Sequence, residues 1–163
     1  MVDISTEYLG LPLKNPLVVG SSGLTDTPEK VKELEERGTG AVVLKSIFEE
    51  EIEHQYRDIL REEMDTSGNV DAMDYFDYQI RAETLDHFRN LVKRSKANVS
   101  IAVIASVNCL GVDTWIDYAK RFESVGADAL ELNVFILPAD VETRSEEIEN
   151  QYLEMTRKVS RKV

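Results

Sequence analysis

The chain has 163 residues, of which 42% are hydrophobic and 31% are charged, as is typical of a globular domain with its own core. Its 31 acidic and 19 basic residues give a formal net charge of -12, which argues against binding to nucleic acid or to an anionic membrane surface. No apolar run reaches bilayer length, the first residues lack a signal-peptide pattern, and a single cysteine excludes an internal disulfide. We therefore expect a cytoplasmic protein.

Short β-rich runs alternate with amphipathic stretches from the N-terminus onward. Segment 8–13, which is punctuated by glycine and proline, predicts a small hairpin outside the main sheet, and a first strand follows at 16–20. Thr27 and Pro28 suit the N-cap and first position of a helix, and Gly38 suits the position just after its end.

The second strand is predicted at 41–44, and a long polar segment at 47–78 follows it. Its length is more typical of a functional loop or an insertion than of a plain connection. The acidic residues between Glu49 and Glu53 lack the spacing and central glycine of a calcium loop, so we interpret them as a solvated helical face. No metal site is expected.

The rest of the chain repeats the alternation. Further helices are predicted at 80–92, 115–125 and 148–159, and further strands at 101–105 and 129–134. Gly126 ends the third helix, and Thr143 with Glu146 has the spacing of a capping box before the last one. Four strand–helix units of this kind predict a parallel sheet covered by helices.

Two architectures fit this order, a doubly wound open sheet and a (βα)8 barrel, and a complete small α/β domain is the simpler alternative. The seven-residue offset from Gly38 to Lys45 recurs from Gly126 to Asn133, and each polar residue closes a strand. Alternate strands of a barrel share side-chain layers, so Lys45 and Asn133 are expected to face the same mouth. A whole barrel takes about 250 residues. We therefore predict that residues 1–163 form a single domain, a (βα)4 half barrel.

Polar residues at the strand ends are the candidate site. The small residues 21–23 allow a ligand to approach the backbone, although an ordinary βα turn explains them equally simply. Lys45 could pair with an anionic ligand or extend to solvent, and Asn133 could bind a heterocycle or cap local backbone. Cys109 has no cationic neighbour in sequence and is interpreted as an inert buried thiol.

Three segments together resemble the dihydroorotate dehydrogenase family. They are Asn15-Pro16 with Ser21-Ser22-Gly23, the strand that runs from Gly38 to Lys45-Ser46, and Glu131-Leu132-Asn133. The resemblance covers the family's first half and implies a (βα)8 barrel that oxidises dihydroorotate by passing a hydride to FMN, with a cysteine or serine as base. It implies FMN contacts from Ser22, Gly23, Lys45, Ser46 and Asn133.

The chain departs from the family at two places. The base position three residues beyond Asn133 is Ile136, which cannot accept a proton. The family's substrate loop is replaced by residues 69–78, where Tyr75 or Tyr78 could offer acid–base chemistry instead. We therefore expect a flavin oxidoreductase that acts on a dihydropyrimidine-type small molecule. As this truncated chain, the protein is expected to be inactive. The alternatives are a non-catalytic half barrel and a small α/β ligand-binding domain.

Two further expectations follow from the half-barrel prediction. The phosphate of a bound cofactor is usually held by loops after strands seven and eight of such barrels, so FMN binding by this chain alone should be weak or absent. Two sheet edges should be left unpaired, which predicts a homo-oligomer or association with the missing half.

Overall fold

The computed structural model describes residues 2–50, 54, 73–109 and 111–163. Its strands are β1 (Thr6–Tyr8), β2 (Leu11–Leu13), β3 (Val18–Val19), β4 (Ala41–Val43), β5 (Ile47–Phe48), β6 (Ala102–Asn108) and β7 (Ala129–Leu132). Its helices are α1 (Pro28–Glu36), α2 (Met73–Asn98), α3 (Val112–Ser124) and α4 (Ser145–Ser160). Most of the acidic segment predicted as a functional loop, residues 51–53 and 55–72, lies outside the described residues.

The predicted N-terminal hairpin is confirmed. β1 and β2 pair antiparallel, with Tyr8 opposite Leu11, and the hairpin is separate from the main sheet. Leu9 and Gly10 between them both have positive φ, 54° and 77°. Two such residues form the tight turn whose twist matches that of the flanking strands.

The main sheet is parallel throughout, and its strands follow one another in chain order. β3 pairs with β4, β4 pairs with β6, and β6 pairs with β7 on its opposite edge, because Ile104 has both Val43 and Ala129 as partners. In a doubly wound sheet, by contrast, the order of the strands reverses at a topological switch point. The α/β fold is therefore compatible with part of a (βα)8 barrel, and the described residues do not form a closed barrel.

Helices cover one face of this sheet with a single hydrophobic core. Trp115 and Phe122 of α3 are almost fully buried there, against β6 residues such as Val103 and Val107. The opposite face lines an open groove of about 370 Å³ beneath the hairpin. Its lining residues are Tyr8, Leu9, Val18, Gly20, Val43, Ile104, Leu130 and Glu131. One face covered by helices and one open face is the layering that a barrel wall has.

β5 continues β4 after a β-bulge. Val43 is opposite Ile104 and Ile47 is opposite Val107, so residues 44–46 of one strand face only residues 105 and 106 of the other. An extra residue of this kind interrupts the ladder and bends the strand. The sequence prediction of a strand at 41–44 that is closed by Lys45 did not include this feature.

The ends of the helices test the capping predictions. Thr27 caps α1 and accepts a hydrogen bond from the Lys30 amide at 3.3 Å, as predicted. Gly38 and Gly126 follow α1 and α3 with φ of 100° and 93°, so both predicted terminal glycines are confirmed. The strands after them begin at Ala41 and Ala129, which confirms the repeated offset.

The predicted capping box before the last helix is wrong. The N-cap of α4 is Arg144, and no side chain caps the helix. The reason is a local turn, in which the Thr143 amide donates to the Asp140 carbonyl and the Glu142 amide donates to the Asp140 carboxylate. Asp140 therefore organises the chain before the helix starts, and Thr143 belongs to that turn.

Glu49 corrects the interpretation of the acidic segment as a solvated face. Its side chain is buried, and it accepts a hydrogen bond from Thr114 at 3.2 Å, whereas Glu50 beside it is exposed as predicted. The sequence pattern could not separate the two because the burial of Glu49 depends on α3, which is distant in sequence. In the part of the chain that is described, no helix has the length and apolarity needed to cross a membrane.

Candidate functional site

The connection between β3 and α1, residues 20–27, is referred to as the first loop. It is closed around Thr25, whose side chain is fully buried. The Thr25 hydroxyl donates to the Ser22 carbonyl at 3.2 Å and accepts from the Ser22 amide at 3.2 Å. Gly23 at the tip is exposed, and a Cβ added there would meet nothing within 4 Å. Hydrogen bonds thus close the loop at its base, and the space beside Gly23 is open.

The bulge in the second strand is joined to this loop by backbone amides. The Lys45 amide donates to the Thr25 carbonyl at 3.2 Å, and the Ser46 amide donates to the Ser21 hydroxyl at 2.9 Å. Successive amides of a strand point to opposite sides, and the Leu44 amide bonds to Ile104 of β6. The Ser46 amide would therefore also bond to β6 in a regular strand, and the bulge turns it to the first loop instead. The predicted residues of the first and second strand ends are therefore brought together.

Three serines and a glutamate form a row across the open face of the sheet, which we call the hydroxyl row. The Ser21 and Ser46 hydroxyls are 3.0 Å apart, the Ser46 and Ser106 hydroxyls are 2.5 Å apart, and Ser106 donates to Glu131 at 2.6 Å. The row connects the first loop, the bulge, β6 and β7 through side chains alone. Ser46 and Ser106 are buried, so these polar groups need each other as partners.

Sequence reasoning missed Ser106 and the role of Glu131. Ser106 interrupts the apolar run 101–107, and a hydroxyl inside a buried strand requires a partner. Glu131 alternates with Leu130 and Leu132, which places it on the face opposite the core. These two signals together could have pointed to a polar contact on the inner face of the sheet.

Asn133 lies just beyond β7, beside the end of β6. Its amide donates to the Val107 carbonyl at 2.8 Å, and its carbonyl accepts from the Asn108 side chain at 2.6 Å. Within the described residues its own side-chain amide has no hydrogen-bond partner. Asn133 is thus fixed by its backbone while its side chain is available to a ligand, and Ile136 follows it as a half-buried apolar residue.

Lys45 is a half-buried cation at the carboxyl end of its strand. Its ammonium lies over the Phe48 ring, 5.6 Å from the centroid. No carboxylate of the described residues forms an ion pair with it. A cation–π contact only partly satisfies an ammonium group, so Lys45 can still bind an anionic group.

Cys109 is buried on the helix-covered side, where Tyr118 and Phe122 belong to the same core cluster. Burial raises the pKa of its thiol far above the ordinary value, and the charge of Glu49 adds to the effect. The thiol is therefore protonated at neutral pH and is not a nucleophile. Tyr75 and Tyr78 lie within α2, and the structure describes only their backbone.

Comparison with known proteins found two curated relatives, each described as the catalytic subunit of dihydroorotate dehydrogenase B (NAD(+)). The protein of Thermoplasma volcanium is 31% identical and that of Thermoplasma acidophilum is 27% identical, each over 134 residues. These matches cover 82% of this chain, and the chain spans 42% of the length of each relative. No protein-family model matches the chain.

Proposed function

Because the chain is related to the dihydroorotate dehydrogenases, we propose that it forms part of an FMN-dependent oxidoreductase that acts on a dihydropyrimidine-type substrate. The observation that carries this proposal is the docking of the bulge onto the first loop beside the Lys45 ammonium, with which no carboxylate of the described residues forms an ion pair. Ligands of parallel α/β folds bind at the carboxyl ends of the strands, where these groups lie.

The residues present fit a flavin. The open space above Gly23 admits a planar ring close to the backbone, while Lys45 and the Asn133 amide offer donors that no described residue uses. Ser22 would contribute loop backbone. FMN, when bound, supplies a hydride acceptor, and a cation near the ring stabilises the negative charge that reduction creates.

Ser46 has a supporting role in this proposal. Its side chain is buried, its amide is bonded to Ser21, and its hydroxyl is shared between Ser21 and Ser106. It therefore holds the bulge against the first loop, and Lys45 provides the contact to the ligand.

A titration of the chain with FMN, followed by flavin fluorescence, tests the proposal. Replacing the Lys45 cation in Lys45→Met should weaken binding about 10- to 100-fold, the usual value of a hydrogen bond to a charged group. Lys120→Met removes an exposed lysine from α3 and is the matched control. The affinity is expected to be low, because the chain spans 42% of the length of each relative. If Lys45→Met binds FMN as tightly as the control does, the proposal is wrong.

Ile136 favours a second candidate, a non-catalytic module of the same fold. An apolar residue at the position of the family's base is expected if flavin contacts persist without turnover. Flavin binding without reduction by dihydroorotate would support this candidate over the first.

A further inference from the structure

The hydroxyl row has a fixed direction. A serine hydroxyl carries one proton, and Ser106 donates its proton to the Glu131 carboxylate. Ser46 must then donate to Ser106, and Ser21 must donate to Ser46. Every hydroxyl proton therefore points toward Glu131, and Ser21 keeps lone pairs that accept, one of them from the Ser46 amide.

The two ends of the row are accessible and its middle is not. Ser21 and Glu131 are exposed, while Ser46 and Ser106 are 2% and 3% exposed. Glu131 also lines the open groove, where it is the only carboxylate of the described lining residues. Two sheltered hydroxyls thus connect the first loop to a carboxylate that can exchange protons with water.

The proposed oxidation needs a group that accepts a proton, and the expected one is missing. Ile136 cannot accept a proton, and the buried Cys109 thiol belongs to the opposite face of the sheet. We propose that Ser21, Ser46, Ser106 and Glu131 form a proton relay, in which Glu131 is the terminal acceptor of a proton released by a ligand at Ser21. This inference rests on the proposed function and deepens it.

Each step of the relay exchanges one O–H bond for another. The ligand's proton bonds to Ser21 Oγ as the Ser21 proton passes to Ser46 Oγ. The Ser46 proton passes to Ser106 Oγ, and the Ser106 proton passes to Glu131 Oε1. The serines end neutral and the carboxylate becomes a carboxylic acid, which the exposed position of Glu131 allows to return its proton to solvent.

The first test follows loss of flavin absorbance when dihydroorotate is mixed anaerobically with the chain and excess FMN. Glu131→Gln retains an acceptor for Ser106 but cannot take up the proton, and Ser106→Ala interrupts the row. Each should slow the reduction about 10²- to 10⁴-fold, the range of general-base catalysis, with FMN affinity unchanged. Ser106→Thr, which restores a hydroxyl, should recover most of the rate.

The matched controls are Glu149→Gln and Ser160→Ala, exposed residues of α4 that should leave the rate unchanged. A rate that Glu131→Gln leaves intact would overturn the relay. Flavin-loaded chain that dihydroorotate does not reduce would instead favour the non-catalytic candidate, and the relay is then decided by the measurement below that needs no turnover. Neither outcome affects the proposed flavin site, which the FMN titration tests separately.

A second measurement needs no turnover. The hydroxyl protons of Ser46 and Ser106 are buried and hydrogen bonded, so both should exchange slowly enough to be seen by proton NMR. Glu131→Gln should shift the Ser46 resonance as well as that of Ser106, although Ser46 does not contact Glu131. A purely local effect on Ser106, with Ser46 unmoved, would contradict a coupled row.

Discussion

Gly40 lies where the chain before β3 crosses the turn before β4. A Cβ added to Gly40 would overlap the Asn15 carbonyl, and its distance to Asn15 Oδ1 would be 2.9 Å. Asn15 is held in place because its side chain donates to the Gly38 carbonyl at 2.7 Å and accepts from the Leu17 amide at 3.0 Å. The Asn-Pro motif that marks the family resemblance therefore has a structural role, fastening the first strand to the second.

Gly40→Ala should destabilise the chain by about 1–3 kcal/mol, the usual cost of overpacking a site that cannot relax. Urea unfolding measures this free energy. Gly23→Ala is the matched control, because nothing lies within 4 Å of its added methyl group. Equal stabilities of the two variants would show that Asn15 can shift away from the added methyl group at little energetic cost.

Glu35 should make stability depend on pH in the acid range. Its partial burial acts to raise the pKa, but hydrogen bonds from the Ser100 hydroxyl and the Ser100 and Ile101 amides outweigh this, and the pKa is lowered. A lowered folded-state pKa stabilises the fold above the ordinary glutamate value of 4.5, and this contribution is lost as pH falls below it.

Thermal unfolding of the chain and of Glu35→Gln at several pH values tests this expectation. The midpoint of the unsubstituted chain should fall more steeply than that of Glu35→Gln below pH 4.5. Parallel pH profiles would mean that the hydrogen bonds to Glu35 do not favour its charged form.

Thr27 before α1 and Thr143 before α4 were both predicted to cap the N-terminus of a helix, but only one of them does. Thr27 caps α1, whereas Thr143 belongs to the turn at Asp140. Thr27→Ala should cost about 1 kcal/mol of unfolding free energy, and Thr143→Ala, the matched control, much less. Urea unfolding of both variants compares them, and a larger loss for Thr143→Ala would reverse the assignment of the caps.

Elements with a local cause were predicted well from the sequence. These elements depend on residues that are only a few positions apart in sequence. They are the hairpin, the cap at Thr27 and the glycines at 38 and 126. The bulge and the hydroxyl row were not predicted, because they depend on which residues face each other across strands. Ser46 and Ser106 are 60 positions apart in the chain, and only the pairing register brings them together.

Three strands of the main sheet, β3, β5 and β7, pair on one side only within the described residues. Beyond β7, Phe135 and Leu137 are 76% and 73% exposed. Unpaired edges and exposed apolar side chains favour association between chains. The expectation of an oligomer remains a prediction.

Light scattering during size-exclusion chromatography tests it across a range of concentrations. We expect a mass that rises with concentration, and a lower mass for Phe135→Asp at each concentration. Val141→Asp, which changes an even more exposed apolar residue that lies farther along the chain from β7, is the control. A constant monomer mass would show that the edges are protected.

The bulge also determines how related sequences can change in length. Ala41 and Ile47 must both keep their partners on β6, so the number of residues between them is fixed by two ladders at once. Losing one residue there would straighten the strand and reverse the faces of those that follow. Natural insertions and deletions among relatives should therefore avoid positions 41–48 and collect in the surface connections. An alignment that places a gap inside that segment would assign the wrong residues of a relative to the positions of Lys45 and Ser46, which contact the first loop.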